Sequence, residues 1–139
     1  PLILMVLLSI ILSVRNKNPL NLIDKKHKLA KKIASKRLKK AKEFLNTKNY
    51  DGFYEEIEKS LWGYFSDKFK VDIINLSKDS INDYFTKHQI SKDVKNQFID
   101  LINRCELERY SPVSNKTEQV NSLLSEAEKI IINVEAELK

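Results

Sequence analysis

The chain has 139 residues with a single cysteine, two glycines and three prolines, and 32% of its residues are charged. That length holds one compact domain with an appendage rather than two independent cores. The scarcity of Gly and Pro excludes both a many-stranded β protein and a low-complexity chain. A lone Cys105 excludes an internal disulfide and fits a reducing compartment. The net charge of +6 is unevenly spread: from Arg15 to Lys48, thirteen Lys and Arg face Asp24 and Glu43, a local net of +11, which leaves −5 on the rest. An electrostatic partner is therefore expected beside that segment.

The first fourteen residues, "PLILMVLLSIILSV", carry no charge. As a helix they reach about 20 Å, short of the roughly 30 Å hydrocarbon core of a bilayer. Because the chain starts at Pro1, the expectation is that residues 1–14 are the end of a membrane helix completed by upstream residues, the alternative being an apolar helix buried by the fold or by a partner. No basic stretch precedes the run and no small-residue cleavage site follows it, which argues against a secretory signal. Arg15, Lys17, Lys25, Lys26 and Lys28 come just after it. By the positive-inside rule they place everything after Val14 on the cytoplasmic side of the inner membrane. Residues 15–21, which include "NKNPLN", read as a juxtamembrane linker, and residues 22–139 as a cytoplasmic helical domain.

Leu22, Ala30, Ile33, Ala34, Leu38, Ala41, Phe44 and Leu45 recur at helical spacing among lysines, which predicts one long amphipathic helix over about residues 21–46. "NTKNYDG" supplies a turn, with Asp51 as N-cap of the next helix. In "FYEEIEKSLWGYFSDKF", residues 53–69, Phe53, Ile57, Leu61, Tyr64 and Phe65 share a face that Tyr54 and Trp62 widen. "VDIINLS" is too short for its own helix and reads as extended. Ser77 caps a short helix through Ile81, Tyr84 and Phe85, and Ser91 caps another carrying Val94, Phe98, Leu101, Ile102 and Cys105. Pro112 ends that helix. The last begins near Asn115, with Glu118 completing a capping box, and runs through Val120, Leu123, Ala127, Ile131, Val134 and Leu138. The fold class is thus all-α: an irregular bundle of about five helices after the N-terminal apolar helix.

Residues suited to catalysis are few. His27 and His88 lie sixty-one residues apart without ligand-spaced partners, and Gly52 and Gly63 cannot form a phosphate loop. Cys105 falls on a buried helix face, where a thiol behaves as a small hydrophobe. Glu55, Glu56 and Glu58 occupy a solvated face. No catalytic residue, cofactor or metal is expected. Lys25, Lys28, Lys31 and Lys32 suit an anionic membrane surface, where each basic residue gains about 1 kcal/mol. Nucleic-acid binding is the alternative, weakened because the aromatics that would stack on bases lie in another helix among glutamates. A merely solvated face is the plainest reading of these lysines. Trp62, Tyr64, Arg109 and Tyr110 are the candidates for a protein contact, since amphipathic aromatics and arginine dominate interface energetics.

Taken in order, "KRLKKAKEFL" (36–45), the aromatic stretch 53–69, "LS" (76–77) and "CELERYSP" (105–112) resemble the C-terminal cytoplasmic region of the bacterial BatD aerotolerance (oxygen-tolerance) family. The sequence departs from that pattern at Glu108 and Ser111, where small apolar residues are expected. The resemblance implies upstream periplasmic β-sandwich-like domains, one membrane helix, and this helical domain in the cytoplasm. It implies a part in a membrane complex for stress tolerance, with a MoxR-type ATPase and von Willebrand A-domain membrane proteins as partners. It implies no catalytic residues.

Overall fold

The computed structural model describes residues 2–15, 19–110 and 116–138. Among them are seven α-helices and no strand: α1 (Leu2–Arg15), α2 (Pro19–Arg37), α3 (Lys39–Asn46), α4 (Tyr50–Phe69), α5 (Lys78–Lys87), α6 (Lys92–Tyr110) and α7 (Lys116–Glu137). The all-helical expectation holds, with six helices rather than five after α1.

The extra helix comes from the basic segment, which divides at Leu38. Its backbone there has φ −98° and ψ 5°. The N–H groups of Leu38 and Lys42 still donate to the carbonyls of Ala34 and Leu38, both at 3.0 Å, so the division is a bend with its hydrogen bonds kept. Leu38 is fully buried at this break, so its side chain anchors the junction of α2 and α3 in the core. The N-terminal boundary also moves: Pro19, expected in the linker, is the first residue of α2. A proline costs little there, because the first-turn N–H groups have no intrahelical partner.

Two further boundaries differ from the sequence reading. Asn49, not Asp51, caps α4, its Oδ1 accepting from the Gly52 N–H at 3.1 Å. Asp51 lies in the first turn instead, where its charge faces the positive end of the helix dipole. The "VDIINLS" segment, expected to be extended, holds a 3-10 turn at Ile73–Asn75 between extended Asp72 and Leu76. Ser77 and Ser91 cap as expected, accepting from the N–H groups of Ser80 (3.0 Å) and Val94 (3.3 Å). The stop at Pro112 and the cap at Asn115 fall outside the described residues, as do residues 16–18 of the linker.

Helix α4 is the centre of the bundle and packs against α3, α6 and α7. Its apolar sector is wide because Phe53, Tyr54, Ile57, Leu61, Tyr64, Phe65 and Phe69 are all buried. The ring of Phe85 on α5 stands 5.9 Å from Phe65, 5.3 Å from Phe69 and 5.3 Å from Phe98, in edge-on and tilted arrangements that favour the ring quadrupoles. Most aromatics of the stretch 53–69 are therefore core. At the α3–α4 corner a Cβ on Gly52 would lie 2.9 Å from Phe44 Cδ1, so any larger residue there would force the Phe44 ring to shift. Helix α2 runs along α7, with Ala30 and Ala34 buried at the seam.

Helix α1 is apolar, and its described side chains are exposed, Leu2 to Leu8, Ile10 and Ile11 among them. The stretch 1–14, expected to be the end of a membrane helix or an apolar helix, forms this helix from Leu2 onward, and none of the described helices is long and apolar enough to cross a membrane.

Candidate functional site

The basic segment is not uniform in three dimensions. Its second half is tied to the fold: Arg37 pairs with Asp67, Lys40 with Glu56 at 3.5 Å, and Lys42 with Glu128 at 3.0 Å. Lys26 is tied as well, its Nζ donating to the carbonyls of Ala136 (3.3 Å) and Leu138 (2.5 Å) at the end of α7. Those carbonyls lack helical partners and carry the negative end of the dipole, which a lysine satisfies. Lys25, Lys28, Lys31 and Lys32 are exposed and form no ion pair with another described residue. The four lysines expected to meet an anionic surface are thus among those that form no ion pair with a described residue.

Of the four residues expected at a protein contact, the fold brings Trp62 and Arg109 together and takes Tyr64 away. Trp62 is half-buried, edge-on to Phe65 at 6.4 Å, and its outer side lines an open groove of about 770 Å3. Arg109 lines the same groove and donates to Glu58 Oε2 at 3.1 Å. Tyr64 turns away: it is 2% exposed, and its hydroxyl donates to Glu135 Oε1 at 2.8 Å. Two residues further along α4 is a rotation of about 200°, which puts Tyr64 on the opposite side from Trp62 and removes it from any partner's reach. The side chain of Tyr110 lies outside the described residues.

The groove also contains residues that sequence reasoning left out. Ile73 and Leu76, from the 3-10 turn and its exit, form its apolar side with Trp62. Ile73 is 81% exposed and the adjacent Ile74 is 91% exposed. Two neighbouring isoleucines read as core in a sequence, whereas this short turn holds both away from it. The charged rim is neutralised within itself, with Lys59 on Glu55 at 3.5 Å, Arg109 on Glu58 and Asp67 held by Arg37. Such a surface offers apolar contact with little unpaired charge to desolvate.

Buried polar groups lie elsewhere. Glu135 is 7% exposed and takes both the Tyr64 hydroxyl and Lys68 Nζ, the latter at 3.0 Å. Burial, then the hydrogen bond to Glu135, pushes the Tyr64 phenol well above its ordinary value. Near the other end of α4, the Tyr54 hydroxyl and Glu108 Oε2 are buried without a hydrogen-bond partner among the described residues, on a pocket of about 340 Å3 shared with Arg104, Gln119 and Ser122. Burial, followed by the charge of Glu108, pushes the Tyr54 phenol up to about 12. Burial and the charge of Glu58 push the Cys105 thiol up to about 12, leaving it protonated and a poor nucleophile at neutral pH. Among the described residues, no three His, Cys, Asp or Glu converge to hold a metal ion. No family model, curated protein or solved structure matches this chain.

Proposed function

We propose that this chain is a non-enzymatic interaction domain held at the cytoplasmic face of the inner membrane, docking an apolar segment of a partner protein in the groove beside Trp62. The observation that carries the reading is the pair Ile73 and Ile74, held 81% and 91% exposed next to a half-buried tryptophan and a self-neutralised rim. Amphipathic aromatics and arginine at the edge of an apolar patch are the composition of interface hot spots. The resemblance to the BatD family supplies the candidate partners, a MoxR-type ATPase and von Willebrand A-domain membrane proteins of a stress-tolerance complex. Tethering is supported by the exposed apolar α1, followed by lysines that the fold leaves unpaired.

The test is a pull-down of the candidate ATPase and A-domain proteins with the wild-type chain and with Ile73→Asp/Ile74→Asp. Both isoleucines are exposed, so the double variant folds normally, which circular dichroism checks. Capture by the wild type with a loss of at least tenfold in the variant supports docking. Equal capture by both would place the contact elsewhere. Binding to oligonucleotides that weakens steeply with salt, with no protein captured, would favour the nucleic-acid alternative.

A further inference from the structure

Helix α2 has two faces, and the fold uses one. Ala30 and Ala34 are pressed against α7, whose end is held by Lys26. On the outer side, Leu22, Lys25, Leu29, Lys32 and Lys36 follow at intervals of three, four, three and four, so they form one stripe along the helix. All five are exposed, Leu22 at 62% and Leu29 at 59%. The two leucines stand about 10 Å apart on the axis, and a lysine follows each by one turn. None of the three lysines forms an ion pair with another described residue.

We infer that this stripe lies flat in the surface of an anionic membrane, with Leu22 and Leu29 in the acyl boundary and Lys25, Lys32 and Lys36 against lipid phosphates. The inference rests on the membrane-held reading above and adds how the domain is oriented: α7 and the bundle sit on the side of α2 away from the lipid. The charge pattern selects this occupant. A stripe with 3-4 spacing also suits a coiled-coil seam, but pairing with a second copy would bring lysines onto lysines at alternate positions. A bilayer interface accepts both residue types, since lysine stems reach along apolar surface while the ammonium groups stay among headgroups. The exposed apolar surface of α1 lies at the same end of the chain, so one environment covers both helices.

The experiment places a thiol-reactive, polarity-sensitive fluorophore at Leu29→Cys or, on the water-facing side of α2, at Ser35→Cys. Cys105 is fully buried and stays unlabelled. Each protein is mixed with vesicles of phosphatidylcholine alone and of phosphatidylcholine with phosphatidylglycerol. On the anionic vesicles the probe at position 29 is expected to shift to the blue and brighten, while that at 35 stays unchanged. The charge-reversed Lys25→Glu/Lys32→Glu/Lys36→Glu variant is expected to lose on the order of 100-fold in affinity for the anionic vesicles. If the protein sediments with both vesicle types but the probe at 29 stays in water, α1 alone holds the membrane; this inference then fails and the membrane-held reading survives. If the protein sediments with neither, both fail. A blue shift at 29 that grows with protein concentration without lipid would assign the stripe to self-association and overturn the inference.

Discussion

The two ends of α4 bury tyrosine in opposite ways. At the C-terminal end, the Tyr64 hydroxyl is satisfied by Glu135, which Lys68 also engages, so a polar pin joins α4 to α7. Towards the N-terminal end, the Tyr54 hydroxyl has no hydrogen-bond partner among the described residues and shares its pocket with a Glu108 oxygen in the same position. The ring contributes apolar contact in both cases; only at Tyr64 does the oxygen contribute. A buried hydroxyl stabilises when paired and costs desolvation when it is not, so one residue type takes opposite signs on one helix.

The largest expected effect is alkaline unfolding. Cys105 and Tyr54 ordinarily lose their protons near 9 and 10, and the fold holds both up to about 12. Below the ordinary values the folded and unfolded chains hold these protons equally. As the pH rises through 9 and 10 towards 12, the unfolded chain releases protons that the folded chain keeps, so stability falls by about 1.4 kcal/mol per pH unit for each group. Urea unfolding midpoints measured from pH 8 to 11 should therefore drop progressively, and Tyr54→Phe should flatten that decline. An unchanged midpoint across this range would refute the burial of both groups.

Glu135→Ala comes next. It orphans the Tyr64 hydroxyl and frees Lys68, at a cost of about 2–3 kcal/mol in urea unfolding at neutral pH. Tyr64→Phe removes one hydrogen bond while Lys68 still compensates Glu135, and should cost about 1 kcal/mol. The smallest change is Tyr54→Phe at neutral pH, expected within about 0.5 kcal/mol of zero on the stabilising side. Equal losses for the two Tyr→Phe variants would break the contrast between the two ends of the helix.

Much of the helical framework was legible in sequence. Periodicity places Phe53, Ile57, Leu61 and Phe65 on one face, and burial bears this out, because a helix repeating every 3.6 residues must direct them together. Caps at Ser77 and Ser91 were also legible, since a hydroxyl acts on N–H groups only three residues away. The break at Leu38 was not, because the hydrogen bonds of Leu38 are those of a continuous helix and only its dihedrals depart from one. The candidate groove was half legible. Trp62 and Arg109 carry the residue types of a contact, whereas Ile73 and Leu76 join them through a turn whose sequence looks like core. Tyr64 was misplaced because its residue type suits an interface equally well, and its partner Glu135 lies seventy-one residues away.

The sequence by itself determined that this is a helical chain, that its aromatics are mainly core, and that its positive charge belongs to one segment. These follow from interactions between residues a few positions apart or from composition. Only the tertiary structure decided which lysines stay free and which hold α7, α4 and α3 in place, and which tyrosine finds a partner for its oxygen. Those outcomes depend on groups brought within about 3 Å by helix packing, and helical periodicity fixes a side chain's face without naming what that face meets.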